Sequence, residues 1–227
     1  NKAVETTQEE QKNYFDVFEE VDSTSEETPA VQSEEVNTVA KTEENNTRKI
    51  KEIDIKGLED FNLLKVTDSD ILCVDDLIGQ SVIKNELKTN IIAPIQHTDN
   101  LKANNVDLPN GILIAGNGSA LTIVKAFSNE AQLPVVVLNN PQELNQILTA
   151  VEARFKKTGL KTVILAQGFD KFFPDGASNS VEANAFRNTL KGIKNKGALF
   201  VATTLDKSRI CSDFMQSGII DKILKSS

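Results

Sequence analysis

Gly111-Ile112-Leu113-Ile114-Ala115-Gly116-Asn117-Gly118-Ser119-Ala120-Leu121-Thr122 is the stretch on which the reading of this chain turns. An apolar run, residues 112–115, enters a turn carrying Gly116 and Gly118, and an amphipathic helix starts near Ala120. Strand, glycine turn and helix in this order aim backbone N–H groups at a phosphate beside a helix N-terminus. The phosphate-loop pattern G-x-x-x-x-G-K-[ST] also supplies a lysine to the β/γ-phosphates and a hydroxyl to magnesium. This stretch has no lysine and is too short for that pattern. Gly116, Asn117, Gly118, Ser119 and Thr122 are the candidate nucleotide-binding residues of the loop. The plainer reading is a strand-to-helix turn that needs glycine for positive φ.

On both sides of this stretch, helix and strand patterns alternate, the mark of an α/β fold with a parallel sheet. Ser81 is expected to cap a helix with Ile83, Leu87 and Ile91 on one stripe, ended by Pro94. Strands are expected at 111–115, 134–138, 162–166 and 198–202, with a short fifth at 219–224. Between them lie helices at 120–131, from the Asn140 cap and Pro141 to Gly159, and at 181–193. The expected architecture is a parallel sheet of about five strands with helices on both faces.

Composition separates the front of the chain from the rest. Residues 1–49 hold 13 of the 33 Asp/Glu and 5 of the 25 Lys/Arg, which leaves 20 of each beyond them. The whole net charge of −8 therefore falls in this acidic, apolar-poor tail, which is expected to be disordered. Within it Tyr14, Phe15, Val17, Phe18 and Val21 form an aromatic island at helical spacing, a candidate partner-docking motif. Residues 50–74 read as a linker, and 75–227 as the α/β domain.

The charge-balanced remainder argues against nucleic acid, and Lys156, Lys157 and Lys161 read as a solvated helix end. No apolar run is long enough for a membrane helix. The single histidine, His97, excludes a histidine metal cluster, and no metal site is expected. Cys73 and Cys211 fit a reduced, intracellular compartment, most simply the cytoplasm.

From about Asp75 to Leu224 the chain resembles the large α/β subdomain of AAA-family ATPases, a branch of the P-loop NTPase fold. The likeness is carried by Asp75-Asp76-Leu77-Ile78-Gly79-Gln80, by Leu108-Pro109-Asn110 leading into Gly111–Gly116, and by Ser128-Asn129-Glu130-Ala131-Gln132-Leu133-Pro134. The resemblance implies a domain without the family's helical lid, in which Asp76, Ile78 and Gly79 lie beside the adenine. It also identifies five degenerate slots. Ala120 stands for the phosphate lysine and Leu121 for the magnesium ligand. Gln167 and Gly168 replace the acidic pair after the third strand, and Leu205 the polar sensor. Gln216 and Ile219 fill the places of the arginine fingers.

Phosphoryl transfer depends on positioned charge, and one missing finger costs about 10³–10⁵ in rate. The expectation is therefore a catalytically inactive scaffold or interaction module with no catalytic residues and no required cofactor. Its expected partners are proteins, AAA-family subunits among them. The alternatives are a sensor that binds ATP or ADP without hydrolysis, and an ATPase with a rearranged site. Lys125, one turn downstream of the loop, is not expected to replace the lost lysine.

Overall fold

The computed structural model describes residues 50, 52–96, 108–116, 118–174 and 180–226, which belong to one compact unit, Asn46–Ser227. The tail and its Tyr14–Val21 island lie outside the described residues, as do Asn117 and His97.

Among the described residues, five strands form one parallel sheet in the order β2-β3-β4-β1-β5. They are β1 (Gly111–Gly116), β2 (Val135–Leu138), β3 (Thr162–Ala166), β4 (Ala198–Thr204) and β5 (Lys222–Ser226). Helices cover both faces, as the P-loop NTPase-like reading implies. Alternation along each strand sorts the core in two. Leu113, Val136, Ile164 and Phe200 face one helical layer, and Ile112, Ile114, Val163 and Val201 the other. Burial on both faces explains why these strands read as continuous apolar runs.

The second of these faces is covered by α1 (Ser81–Leu87), α2 (Ala93–Gln96) and α3 (Ala120–Ala131). The first is covered by α4 (Leu144–Thr158) and α5 (Val181–Leu190), with six phenylalanines between them and the sheet. Phe169 sits at their centre, 5.1 Å from the Phe214 ring and 5.6 Å from that of Phe200. Phe173 is buried in this cluster and Phe172 packs at its margin.

Several expected boundaries move. Ser81 begins α1 as its first residue, and the cap position falls on the preceding Gln80, whose side chain makes no cap hydrogen bond. Pro94 does not end the helix. A π-turn, Lys88–Ile92, carries the chain into α2, and the Ala93 N–H reaches Lys88 O. The wider turn relieves the ring–carbonyl clash that proline causes in an α-helix. Helix α5 stops at Leu190 because Gly192 turns to φ +74° and Asn110 Nδ2 takes the Leu190 carbonyl. The fifth strand begins at Lys222, since Ile219 and Ile220 are used in the core. The Asn140 cap is present, its Oδ1 accepting from Glu143 N at 3.3 Å ahead of α4.

Within the segment 50–74, read from the sequence as an entry segment or linker, residues 62–64 are laid along the edge of the sheet. Leu64 N donates to Val135 O and Val137 N to Asn62 O, at 2.9 and 2.7 Å, so the free edge of β2 is partly paired. Leu58 enters the phenylalanine side of the core. Buried Arg154 holds the same segment, donating to Asp54 O at 2.7 Å and to Leu160 O at 3.0 Å.

Candidate functional site

Strand order locates the site before any side chain is considered. The chain leaves β1 toward the β2 edge and leaves β4 toward β5, so the connections part between β1 and β4. Open α/β sheets bind ligands at the carboxyl ends of the strands at such a point. A cleft of about 560 Å³ lies there, with Gly116 and Leu121 after β1, Asn139 after β2, Gln167 and Lys171 after β3, and Thr203 and Arg209 on and after β4. This size suits a nucleotide-scale ligand.

The glycines of the loop after β1 have distinct jobs. Gly116 has φ +143°, and a Cβ there would lie 2.1 Å from Ser226 O on β5. Its register partner, Ser226, therefore demands glycine whatever the ligand. Gly118 has φ +73° in open space, and its N–H donates to Gly116 O at 3.1 Å, away from a ligand. The Ser119 hydroxyl is buried and has no hydrogen-bond partner among the described residues, and α3 starts at the next residue.

The slots that the resemblance reads as degenerate fall into two groups. Ala120, Leu121, Gln167, Gly168 and Leu205 all line the cleft. Gln216 and Ile219 precede β5 at the opposite, amino end of the sheet, where the Asp221 N–H meets Gly111 O. Gln216 is exposed and Ile219 buried. Asp76, Ile78 and Gly79 do not line the cleft, and Ile78 is 91 % exposed. Thr122 is half-buried on α3, also outside the lining.

Lys125 is engaged elsewhere. Its ammonium lies 2.8 Å from Asp70 Oδ1, both side chains being 19 % exposed. That hydrogen bond, with a second from Thr67 N, holds the Asp70 carboxyl below its ordinary range. Asp75, for its part, pairs with Lys88. The two cysteines are free thiols set against different parts of the core, Cys73 donating to Glu130 and Cys211 packing on the phenylalanine side.

Sequence reasoning missed the polar groups that occupy the cleft. The Thr204 hydroxyl donates to Asp170 Oδ1 at 2.9 Å and accepts from Asp206 N at 3.2 Å. Thr203 Oγ1 accepts from Gly168 N at 3.1 Å. Asp206 caps the turn Lys207–Arg209 through Ser208 N, which holds its carboxyl below the usual range. These threonines extend β4 two residues past its expected end, and the excess polarity of that end was the available signal. The donor set does not fit the family's magnesium ion. Carboxamide and glycine follow β3, Asp170 is tied to Thr204, and among the described residues no three His, Cys, Asp or Glu side chains gather as ligands.

No family model matches the chain. It is 25 % identical over 167 residues, 66 % of its length, to a Dictyostelium discoideum protein bearing the name ribosome biogenesis ATPase nvl. It is 23 % identical over 161 residues, 65 % of its length, to the ATPase family gene 2 protein of Saccharomyces cerevisiae. The chain spans about a fifth of the length of these curated relatives, 19 % and 21 % respectively. These distant similarities support an AAA-like relationship for the α/β domain. Among the described residues no helix is long and apolar enough to cross a membrane.

Proposed function

We propose that this AAA-like domain is a catalytically inactive scaffold that binds other proteins, AAA-family subunits in particular. One observation carries the reading: the cleft is retained, while the positions that would hold charge around a γ-phosphate are Ala120, Leu121, Gln167 and Gly168. Catalysis of phosphoryl transfer is almost wholly electrostatic, so a frame without those charges has lost its chemistry and kept its shape. The engagement of Lys125 by Asp70 supports this, because the nearest basic residue on α3 is already neutralised. An inactive copy in an assembly of active subunits leaves its neighbours without a trans-acting arginine, since Gln216 and Ile219 fill those places. The test is steady-state ATP hydrolysis by the purified chain, alone and mixed with an active AAA-family ATPase. Expected are no turnover alone and altered turnover in the mixture. Turnover by the pure chain that disappears in Gly118→Glu would overturn the proposal.

A second reading, a sensor that binds ATP or ADP without hydrolysis, is favoured by a different feature. The cleft is open, and Lys171 and Arg209 line it together with Asp170 and Asp206. Binding to the native state alone raises the melting temperature by mass action, so unfolding with and without nucleotide tests it directly.

A further inference from the structure

The two cations of the cleft have no counterpart among the family-like motifs. Lys171 closes the 3₁₀ turn Phe169–Lys171, which Gly168 opens at φ +65°, and the Lys171 N–H returns to Gly168 O at 2.9 Å. This tight turn folds the lysine side chain back over Gly168. A Cβ added at Gly168 would meet Lys171 Cδ at 3.6 Å, Cε at 3.8 Å and Nζ at 4.0 Å. The lysine thus packs beside position 168, its ammonium 4.0 Å from where a Cβ would stand in the slot to which the resemblance assigns a carboxylate. Arg209 reaches the same cleft from the turn after β4. Among the described residues neither Lys171 nor Arg209 makes a salt bridge, and the carboxylates of Asp170 and Asp206 are hydrogen-bonded to Thr204 and Ser208.

We propose that the cleft takes a nucleoside polyphosphate in its magnesium-free form, with Lys171 and Arg209 supplying the positive charge that the metal supplies elsewhere. The proposal rests on the sensor reading and adds the ionic state of the ligand. Its physical basis is the position of the ammonium beside the slot after β3, in a cleft where Asp170 and Asp206 balance the two cations in formal charge but are each hydrogen-bonded to the protein. A hydrated magnesium ion needs oxygen ligands and would lie against an ammonium, whereas bare phosphate oxygens are matched by lysine as a point charge and by the arginine fork. Magnesium also cancels part of the nucleotide's negative charge, so it weakens the attraction to both residues.

Calorimetric titration of the full 227-residue chain with ATP, in excess EDTA and in excess magnesium chloride, tests this. Binding is expected in EDTA, weaker with magnesium by about tenfold or more, and Lys171→Gln is expected to weaken the EDTA titration by a similar factor. Lys171 is exposed, and an unchanged melting temperature verifies that the variant folds. Equal or tighter binding with magnesium overturns the proposal and leaves the sensor reading in place. Absence of binding in both buffers overturns the two together. Binding in EDTA that survives both Lys171→Gln and Arg209→Gln overturns the assignment of the cations.

Discussion

Replacing Gly116 by alanine separates a structural glycine from a ligand-binding one. Two costs follow from the geometry. The backbone at φ +143° is one that L side chains rarely adopt, a strain of about 1–3 kcal/mol. The new Cβ would lie 2.1 Å from Ser226 O and 3.0 Å from Ser226 C, so backbone of β5 must move by the order of an ångström. Displacing packed structure in this way costs about 1–3 kcal/mol. The sum, about 2–6 kcal/mol, is a large part of the roughly 5–15 kcal/mol that holds a typical domain together. At roughly 2–4 °C per kcal/mol for a domain of this size, the melting temperature falls by roughly 4–24 °C. Gly118→Ala is the control. It shares positive φ but has nothing within 4 Å, so only strain of about 1–2 kcal/mol is expected. Thermal and urea unfolding without nucleotide measure both. If Gly116→Ala unfolds at the temperature of Gly118→Ala, the close approach of β5 is not what requires glycine, and a role in the loop itself must take its place.

Asn110→Ala is expected to cost about 2–4 kcal/mol in urea unfolding, because its buried side chain serves Leu190 O, Gly218 O and Lys194 N, which would be left unpaired. Asp70→Asn should lower stability at neutral pH by about 0.5–1 kcal/mol. Asp70's folded pKa lies below its ordinary 3.8, so this contribution is present above that value and is lost as pH falls through the folded pKa; the gap between variant and parent should close in acid unfolding curves. The same variant frees Lys125 yet is expected to give no ATP hydrolysis in a phosphate-release assay. Asn140→Ala removes the cap on the turn leading into α4 and should cost about 1 kcal/mol by denaturant titration.

Much of the architecture was written locally. The apolar runs after Gly111, Pro134, Thr162 and Ala198 could only be strands buried on both faces, and Asn140, Pro141 and Gly159 bracket a helix by their own backbone preferences. The residue types of the loop after β1 and of the β3 end were equally legible, because each stands at a position counted along one segment. Boundaries that depend on distant partners were not. Pro94 is carried by a π-turn, and Leu190 ends α5 because Asn110, 80 residues away in sequence, takes its carbonyl.

The cleft itself belongs to the tertiary structure alone. Gly116, Lys171, Thr204 and Arg209 share no periodicity and no motif; the order of the strands brings their carboxyl ends to one crevice. That Gly116 answers to Ser226, that Lys125 is held by Asp70, and that Lys171 lies over Gly168 are facts of through-space distance. Periodicity and turn chemistry act over a few residues, so the sequence by itself determined the elements and which residue types stand in the loop after β1 and at the end of β3. Which charges now face one another was decided only when four strand ends converged.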